Sequence, residues 1–436
     1  MAEFLRIIID LPASGLWNMA VDQALLEQAA VPTLRLYQWA PPAVSVGRSH
    51  WPPPHQLFLR AEQRGYHLVR RLTGGGTILH DDELTYALVA PAARLPQGVA
   101  AAFAFLTAAV RDALKQLGLD TQLAKGDRLN HPLCFAQQAS GEVTWRGRKL
   151  IGSAQARRRG WLLQHGALPL TLDPAVHEAV MAGTVDGTLA ARAIGLVEVL
   201  RRRPSWEELT QAFQTGFAHT LGLSPHLETL TDTERAWAEQ LMAGESELLH
   251  AAQVVQQGGV IALPTETVWG VAADLHSQAA VERLRHIKGR AETQPLQILA
   301  ASLPEALELA APWAHLALQK LGRAFWPGPL MVIAPASPLV PPWISTGTVG
   351  LRIPDHPSAR SLLARTGPLA ASSANRSGEP PLKSAAAIAQ GLPVDAVLDA
   401  PPEPSGTAST AFDLASRQVL REGPITLAHL LSTLDG

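Results

Sequence analysis

The only cysteine of the chain, Cys134, stands fifteen residues before Lys149, a lysine in the polar run Arg146-Gly147-Arg148-Lys149. A thiol is a weak nucleophile until a nearby cation favours its thiolate, because the free group has a pKa of about 8.5. One thiol with one candidate cation suggests acyl chemistry. The bland alternative is a small buried hydrophobe. A second group surrounds three consecutive glycines, Gly74, Gly75 and Gly76, preceded by Arg70 and Arg71 and followed by His80 and Asp81. Glycine lets backbone pass close to a ligand and reach positive φ. By itself the run is a tight turn beside a solvated basic pair. A third set lies further on, with polar residues two apart: Thr265 and Thr267, Lys288 and Arg290, Ser373 and Asn375. In extended backbone such pairs share a face. They suit a polyanion, with Lys and Arg on phosphates and Ser and Asn on ribose or a small substrate. Each pair alone is an ordinary capped or solvated one. No G-x-x-x-x-G-K-[ST] occurs, so a P-loop is not the means.

Composition bounds these readings. A chain of 436 residues, 47% hydrophobic and 17% charged, is globular and long enough for two or three domains. A formal net charge of −2 supplies no global field toward nucleic acid or anionic membrane, so such contacts would be local. One cysteine excludes an intramolecular disulfide framework and fits a reducing compartment. The opening MAEFLRIIIDLPASG mixes charges into a short apolar run, unlike a signal peptide, and no later run is long enough to span a bilayer. The expectation is a soluble cytoplasmic protein without a membrane partner.

The positioning elements follow from periodicity and punctuation. Strands are expected at 4–10, 34–39, 43–46 and 84–89, with Asn18 capping a helix to about Ala30, a helix over 57–64 and a long amphipathic helix over 99–117. The stretch from Cys134 to His165 reads as strands and turns. Helices are expected near 173–182, 187–202, 205–221 and 231–242. The polar run Gly244-Glu245-Ser246 then marks a seam, which predicts domains at 1–243 and 246–436. Beyond it come helices at 247–257, 277–287, 303–310, 316–323 and 358–365, with strands at 259–263, 296–299, 330–334, 348–353 and 369–372. No internal repeat appears. Both halves read as mixed α/β with antiparallel pairing and no G-x-G-x-x-G after a strand.

In context the first half is not generic. RRLTGGGTILHDDELTY, the segments Asn18–Asp22, Leu34–Trp39 and Ser45–Arg48, and GRKLIGSAQ at 147–155 resemble the biotin/lipoate protein ligase and octanoyltransferase superfamily. The resemblance implies a reaction on octanoyl or lipoyl groups bound for a lysine of a lipoyl-carrier protein. In the ligases of that superfamily ATP activates the free acid, and the lysine matching Lys149 contacts the acyl-adenylate. In the cysteine-dependent octanoyltransferases a thiol takes octanoyl from acyl carrier protein and passes it on, with no cofactor. Cys134-Phe135 upstream of the lysine motif resembles the latter. The implied site is Cys134 and Lys149 as catalytic residues, with Arg70, Gly74, Gly75, Gly76, His80, Gly152, Ser153 and His165 around the acyl group. The arginine runs 157–159 and 201–203 are candidates for docking an acidic carrier. Gln23 stands where the superfamily often has an acid.

The second half resembles the YrdC-like threonylcarbamoyl-AMP synthases. The resemblance is carried by PTETVWG at 264–270, KGR at 288–290, FWPGPL at 325–330, TVGLRIP at 348–354, SSANRSG at 372–378, Gly406 with Ser409-Thr410, and LREG at 420–423. It implies that L-threonine, bicarbonate and ATP with Mg²⁺ give threonylcarbamoyl-AMP and pyrophosphate, for N6-threonylcarbamoyl modification of tRNA by its transfer machinery. Lys288, Arg290, Thr348, Asn375 and Arg421 would hold ATP. Thr267, Arg352, Ser373 and Ser409 would surround threonine and its carbamate. A cationic cage suits negative charge building at the α-phosphate. Trp269 stands for a commoner tyrosine, Ala291 for a proline, Gln294 for an asparagine, Met331 and Lys383 for threonines. No protein metal site is singled out.

The expected architecture is α/β of the α+β type: a biotin/lipoate ligase-like mixed sheet with helices, then a YrdC-like twisted α/β open sheet. The expected function is a bifunctional fusion. The alternatives are an ATP-dependent lipoate-protein ligase in the first half and a non-catalytic RNA-binding module in the second.

Overall fold

The computed structural model describes residues 4–50, 53, 55–126, 134–289, 296–345 and 347–435. They form two compact units, Met1–Ala243 and Gly244–Gly436, both mixed α/β.

The first unit is built on a six-stranded sheet in the order Gly152–Arg158, Trp161–Pro169, Glu83–Pro91, Thr33–Tyr37, Phe4–Ile9, Ser224–Leu227. The last two neighbour contacts are parallel and the other three antiparallel. Its central strands are buried along nearly their whole length because both faces are covered. On one face Val99–Gln116 and Trp206–Leu221 pack over Leu34, Leu88 and Tyr86, with Phe213 and Phe217 against the Tyr86 ring. On the other lies helix Gly15–Glu27, with Val21, Ala24 and Leu25 buried. Two small three-stranded sheets bring the site residues in. One is His67–Arg70, Ala43–Val46, Thr77–His80; the other is Gln122–Leu123, Val143–Trp145, Arg148–Lys149.

The second unit has a nine-stranded mixed sheet. At its centre Gly270–Asp274 pairs antiparallel with Leu369–Ser373, which pairs with Gln297–Leu299, followed by Thr348–Arg352 and Leu330–Pro335. Leu284, Ile298, Leu321, Leu351 and Phe412 share its core.

Several local expectations are corrected. Helix Gly15–Glu27 is capped by Ser14, whose hydroxyl accepts from Trp17 N; Asn18 lies inside the helix, buried. Its amide instead donates to the carbonyls of Ala13 and Gln38. The helix expected over 187–202 is two short ones, Thr188–Arg192 and Leu196–Leu200. Gly195 lies between them, where a Cβ would sit 2.8 Å from the Leu170 carbonyl oxygen. The seam is not a loop. One helix, Asp232–Gln256, runs through it, because a lone glycine costs only about 1 kcal/mol in a sequence otherwise rich in good helix formers. Among the described residues no helix is long and apolar enough to cross a membrane.

Candidate active sites

In the first unit a hairpin brings the lysine to the thiol. Arg146 and Gly147 both adopt positive φ, 48° and 79°, which is the type I′ geometry that joins two strands tightly. Val143–Trp145 and Arg148–Lys149 therefore pair, with Lys149 opposite Thr144. Cys134 is tied to the neighbouring small sheet through its amide, which donates to Thr77 O at 3.1 Å. The Lys149 ammonium, only 1% exposed, lies 3.9 Å from Cys134 Sγ. It donates to Cys134 O at 2.9 Å, Gln137 O at 3.1 Å and Glu142 Oε1 at 2.7 Å. Three oxygens thus compete with the sulfur for its three N–H groups, and the long contact to Sγ is the weakest of the four. Sequence reading missed Glu142. The signal was present, a carboxylate and a lysine on either side of a W-R-G-R turn, but an acid beside a turn ordinarily reads as solvated.

These groups line a cavity of about 380 Å³, within the roughly 300–1,000 Å³ of small-molecule sites. Its walls include Gly74, Gly75, Gly76, His80, Gly152, Ser153 and His165, with apolar surface from Met19, Trp39, Ile78 and Ala167. Of the residues expected around the acyl group, Arg70 alone is not on that wall; it is exposed at the end of its strand. Arg71 turns inward instead. Its guanidinium donates to Gly74 O at 3.2 Å, Gly76 O at 2.6 Å, and the hydroxyl and carbonyl of Ser45 at 2.6 and 2.8 Å, so it clamps the glycine loop.

His80 and His165 each anchor a buried polar chain. The Ser45 hydroxyl lies 2.5 Å from His80 Nε2, and His80 Nδ1 lies 2.7 Å from Glu83; the ring stacks on Trp39 at 3.9 Å. His165 Nε2 meets the Thr73 hydroxyl at 2.6 Å and its Nδ1 faces Asp22 at 3.2 Å. Asp22 also accepts from Arg35 Nη1 at 2.8 Å and from the Tyr37 hydroxyl at 2.9 Å. Burial drives the His165 pKa down, partly countered by Asp22. Burial would raise that of Asp22, but the His165 hydrogen bond and the Arg35 charge hold it below its ordinary value. The Tyr86 hydroxyl, bonded to Ser153 and Gln164, is pushed up to about 12 by burial.

The second unit holds a cavity of about 370 Å³ lined by Lys288, Arg352, Ser373, Asn375, Ser409 and Arg421, among others. Ser277 caps helix Gln278–Lys288, and Gly289 ends it at φ 60°, leaving Lys288 buried in the last turn, where a cation suits the helix dipole. Its ammonium donates to Ser373 O and, at 2.7 Å, to Asn375 Oδ1. Arg421 donates to the Ser409 carbonyl and hydroxyl, both at 2.9 Å. Arg352 Nη2 donates to the Thr267 hydroxyl at 2.8 Å, lies 2.8 Å from Glu266 Oε1, and its Nε reaches Gly328 O at 3.3 Å. Burial lowers the pKa of both arginines, and at Arg421 the Arg352 charge adds to the effect. Among the described residues, two guanidiniums and an ammonium against one nearby carboxylate leave the cavity suited to an anion.

Thr265 and Thr267 do share a side, their hydroxyls 2.9 Å apart, although the segment is a turn rather than a strand. Thr267 supports Arg352 from behind and is not on the cavity wall. Thr348 is exposed at the other end of the strand that carries Arg352, also off the wall. Arg290 lies outside the described residues. Among the described residues no group of three or more His, Cys, Asp or Glu is placed to hold a metal ion.

Comparison with known proteins finds two separate matches along the chain. A family model described as the lipoyl protein ligase A/B catalytic domain matches residues 14–218, and one described as telomere recombination, covering Sua5, YciO and YrdC proteins, matches residues 253–423. Octanoyltransferase LipM of Kyrpidia tusciae is 37% identical over 53% of this chain and 92% of its own length. A crystal structure of lipoate-protein ligase A bound with ATP aligns at TM-score 0.47 and 24% identity, over 55% of this chain and 94% of that one. P. abyssi Sua5 complexed with L-threonine aligns at TM-score 0.40 and 34% identity, over 44% of this chain and 58% of that one.

Proposed function

Since this chain belongs to the octanoyltransferase/lipoate ligase family through its first unit and carries a Sua5/YrdC domain after it, we propose that it joins two separate activities. The first is transfer of octanoyl from acyl carrier protein, through a Cys134 thioester, to a lysine of a lipoyl-carrier protein. The observation that carries this reading is the Lys149 ammonium 3.9 Å from the single thiol, on the wall of a partly apolar cavity. The cation stabilises thiolate both as attacking and as leaving group, and the glycine loop offers backbone donors to a developing oxyanion. The acyl chain lies along Met19, Trp39 and Ile78. No ATP is needed, because a thioester is already activated.

The test is intact mass. Octanoyl-acyl carrier protein should add one octanoyl group to the protein without ATP, and Cys134→Ala should lose it. A requirement for ATP with free octanoate, and an active Cys134→Ala, overturns this reading in favour of a ligase.

The second activity is formation of threonylcarbamoyl-AMP from L-threonine, bicarbonate and ATP, for modification of tRNA adenosine. The cationic cavity of Lys288, Arg352 and Arg421 carries this reading. Threonine carbamate attacks the α-phosphate, pyrophosphate leaves, and the three cations offset the charge that accumulates. Lys288, Asn375 and Arg421 would hold ATP, and Arg352, Ser373 and Ser409 the threonine carbamate, with Thr267 fixing Arg352. Mg²⁺ keeps most of its ligands as water and phosphate oxygen; the hydroxyls of Ser373 and Ser409 on the cavity wall fit an ion brought in on the nucleotide. Pyrophosphate release should need threonine and bicarbonate and vanish in Lys288→Ala; release independent of threonine overturns the reading. A cytoplasmic location follows from carrier proteins and tRNA as partners.

A further inference from the structure

Glu142 has no part in the scheme above, yet among the described residues it is the one carboxylate lining the first cavity. It is 6% exposed; Oε1 lies 2.7 Å from the Lys149 ammonium, and Oε2 accepts from Ala139 N at 2.9 Å. Carboxylate, ammonium and sulfur thus stand in sequence, at 2.7 and then 3.9 Å. Acyl transfer to a lysine poses a proton problem that a thiol and a cation alone do not solve. The incoming amine must lose a proton, and the departing sulfur must gain one.

The geometry points to Glu142, held beside Lys149 on the cavity wall, as the base of a proton relay that takes the surplus proton of the acceptor's ammonium in the amine half of the reaction. This rests on the thioester reading of Cys134. When the carrier's lysine attacks, its nitrogen bonds to the acyl carbon, the carbon–sulfur bond breaks and the electron pair stays on sulfur. The attacking nitrogen sheds two protons: the one that makes it an ammonium goes to Glu142 before attack and from there to water, and the other leaves as the amide forms. Lys149 gives one of its own protons to Sγ and takes back the one lost as the amide forms, so thiol, ammonium and carboxylate are all restored. In the first half the Cys134 proton passes by way of Lys149 to the departing thiol of the donor, without Glu142. The hydrogen bond from Ala139 keeps Glu142 turned toward the lysine.

The test follows the acyl-enzyme with octanoyl-pantetheine as donor and either a lipoyl domain or hydroxylamine as acceptor. Hydroxylamine is uncharged at neutral pH and needs no prior proton removal. Glu142→Gln should still gain one octanoyl mass, but discharge it to the lipoyl domain on the order of 10²-fold more slowly. Discharge to hydroxylamine should stay near the wild-type rate, and the lipoyl-domain defect should shrink as pH rises and the free amine deprotonates unaided. Glu142→Asp keeps the charge that a buried ammonium needs, so it decides the matter if the amide variant fails to fold. Its lipoyl-domain discharge should be slowed and its hydroxylamine discharge preserved. Wild-type discharge to the lipoyl domain, or equal loss with both acceptors, overturns the relay. Wild-type protein that never gains an octanoyl mass overturns the thioester reading instead.

Discussion

Asp22 on helix Gly15–Glu27 and His165 on strand Trp161–Pro169 face one another at 3.2 Å across the buried interior of the first unit. Asp22 is also the counter-ion of Arg35, a side chain with no exposure, which has Asp10 as a second carboxylate at 2.6 Å. Removing one partner of a buried pair leaves an uncompensated charge, at about 3–5 kcal/mol. Asp22→Asn should therefore lower stability by roughly that amount in urea unfolding. Asp10→Asn, at a partly exposed carboxylate, should cost far less. Equal effects of the two would mean that Arg35 does not depend on Asp22.

Gly47 and Gly75 touch. A methyl group on Gly47 would lie 1.9 Å from the Gly75 carbonyl oxygen, and that atom is backbone, which cannot rotate away. Arg71 holds the same loop from the other side. Gly47→Ala should displace the glycine loop, destabilise the unit by about 2 kcal/mol, in the range of overpacked cores, and slow octanoyl transfer at least about tenfold as the oxyanion donors move. Gly74→Ala, where an added Cβ meets nothing within 4 Å, should fold normally, and thermal unfolding separates the two variants.

The pair Arg70 and Arg71 shows how far the sequence was legible. The glycine run, the cysteine and the lysine motif are local, and their chemistry survives without knowledge of the fold. Which of two adjacent arginines faces inward is set by strand register, since successive side chains take opposite sides. Nothing in the residue types decides it. Thr348 and Arg352 part for a different reason: four apart, they share a face of one strand, but they lie roughly 13 Å apart along it, and only Arg352 reaches the cavity. Glu142 was invisible for another reason, because its burial depends on Lys149 folding back over it. The mixed α/β character was legible in the run of elements, whereas Asn18 misled because a good capping residue also serves inside a helix when tertiary acceptors wait for its amide.

His177, on helix Pro174–Met181, is 6% exposed, and burial pulls its pKa down to about 4, against attraction from Glu83 and Asp173 and with repulsion from His80. The unfolded chain takes up this proton near pH 6.5, the native state only near 4. Between those values the unfolded state binds more protons, so stability is complete above about pH 6.5 and falls as pH drops through the window. Between pH 7.5 and 5 the loss from this residue alone is about 2 kcal/mol. His177→Gln should flatten the pH dependence of urea unfolding by that amount. An unchanged slope would show that the native imidazole takes up its proton as readily as the unfolded one.

Arg352 spreads one guanidinium over the Thr267 hydroxyl, Glu266 and Gly328 O. A lysine carries the same charge but cannot span that fork. Arg352→Lys leaves the Thr267 hydroxyl or Glu266 without its donor, and a hydrogen bond to a charged group is worth about 1.5–3 kcal/mol. Threonine-dependent pyrophosphate release should therefore fall roughly 10- to 100-fold. Thr348→Ala, on the same strand but exposed, should leave that rate unchanged. The two variants separate a side chain that faces the cavity from one that only shares its motif. Equal losses would place Thr348 at the reacting nucleotide after all, and the strand would have to bend from the register seen here to bring it there.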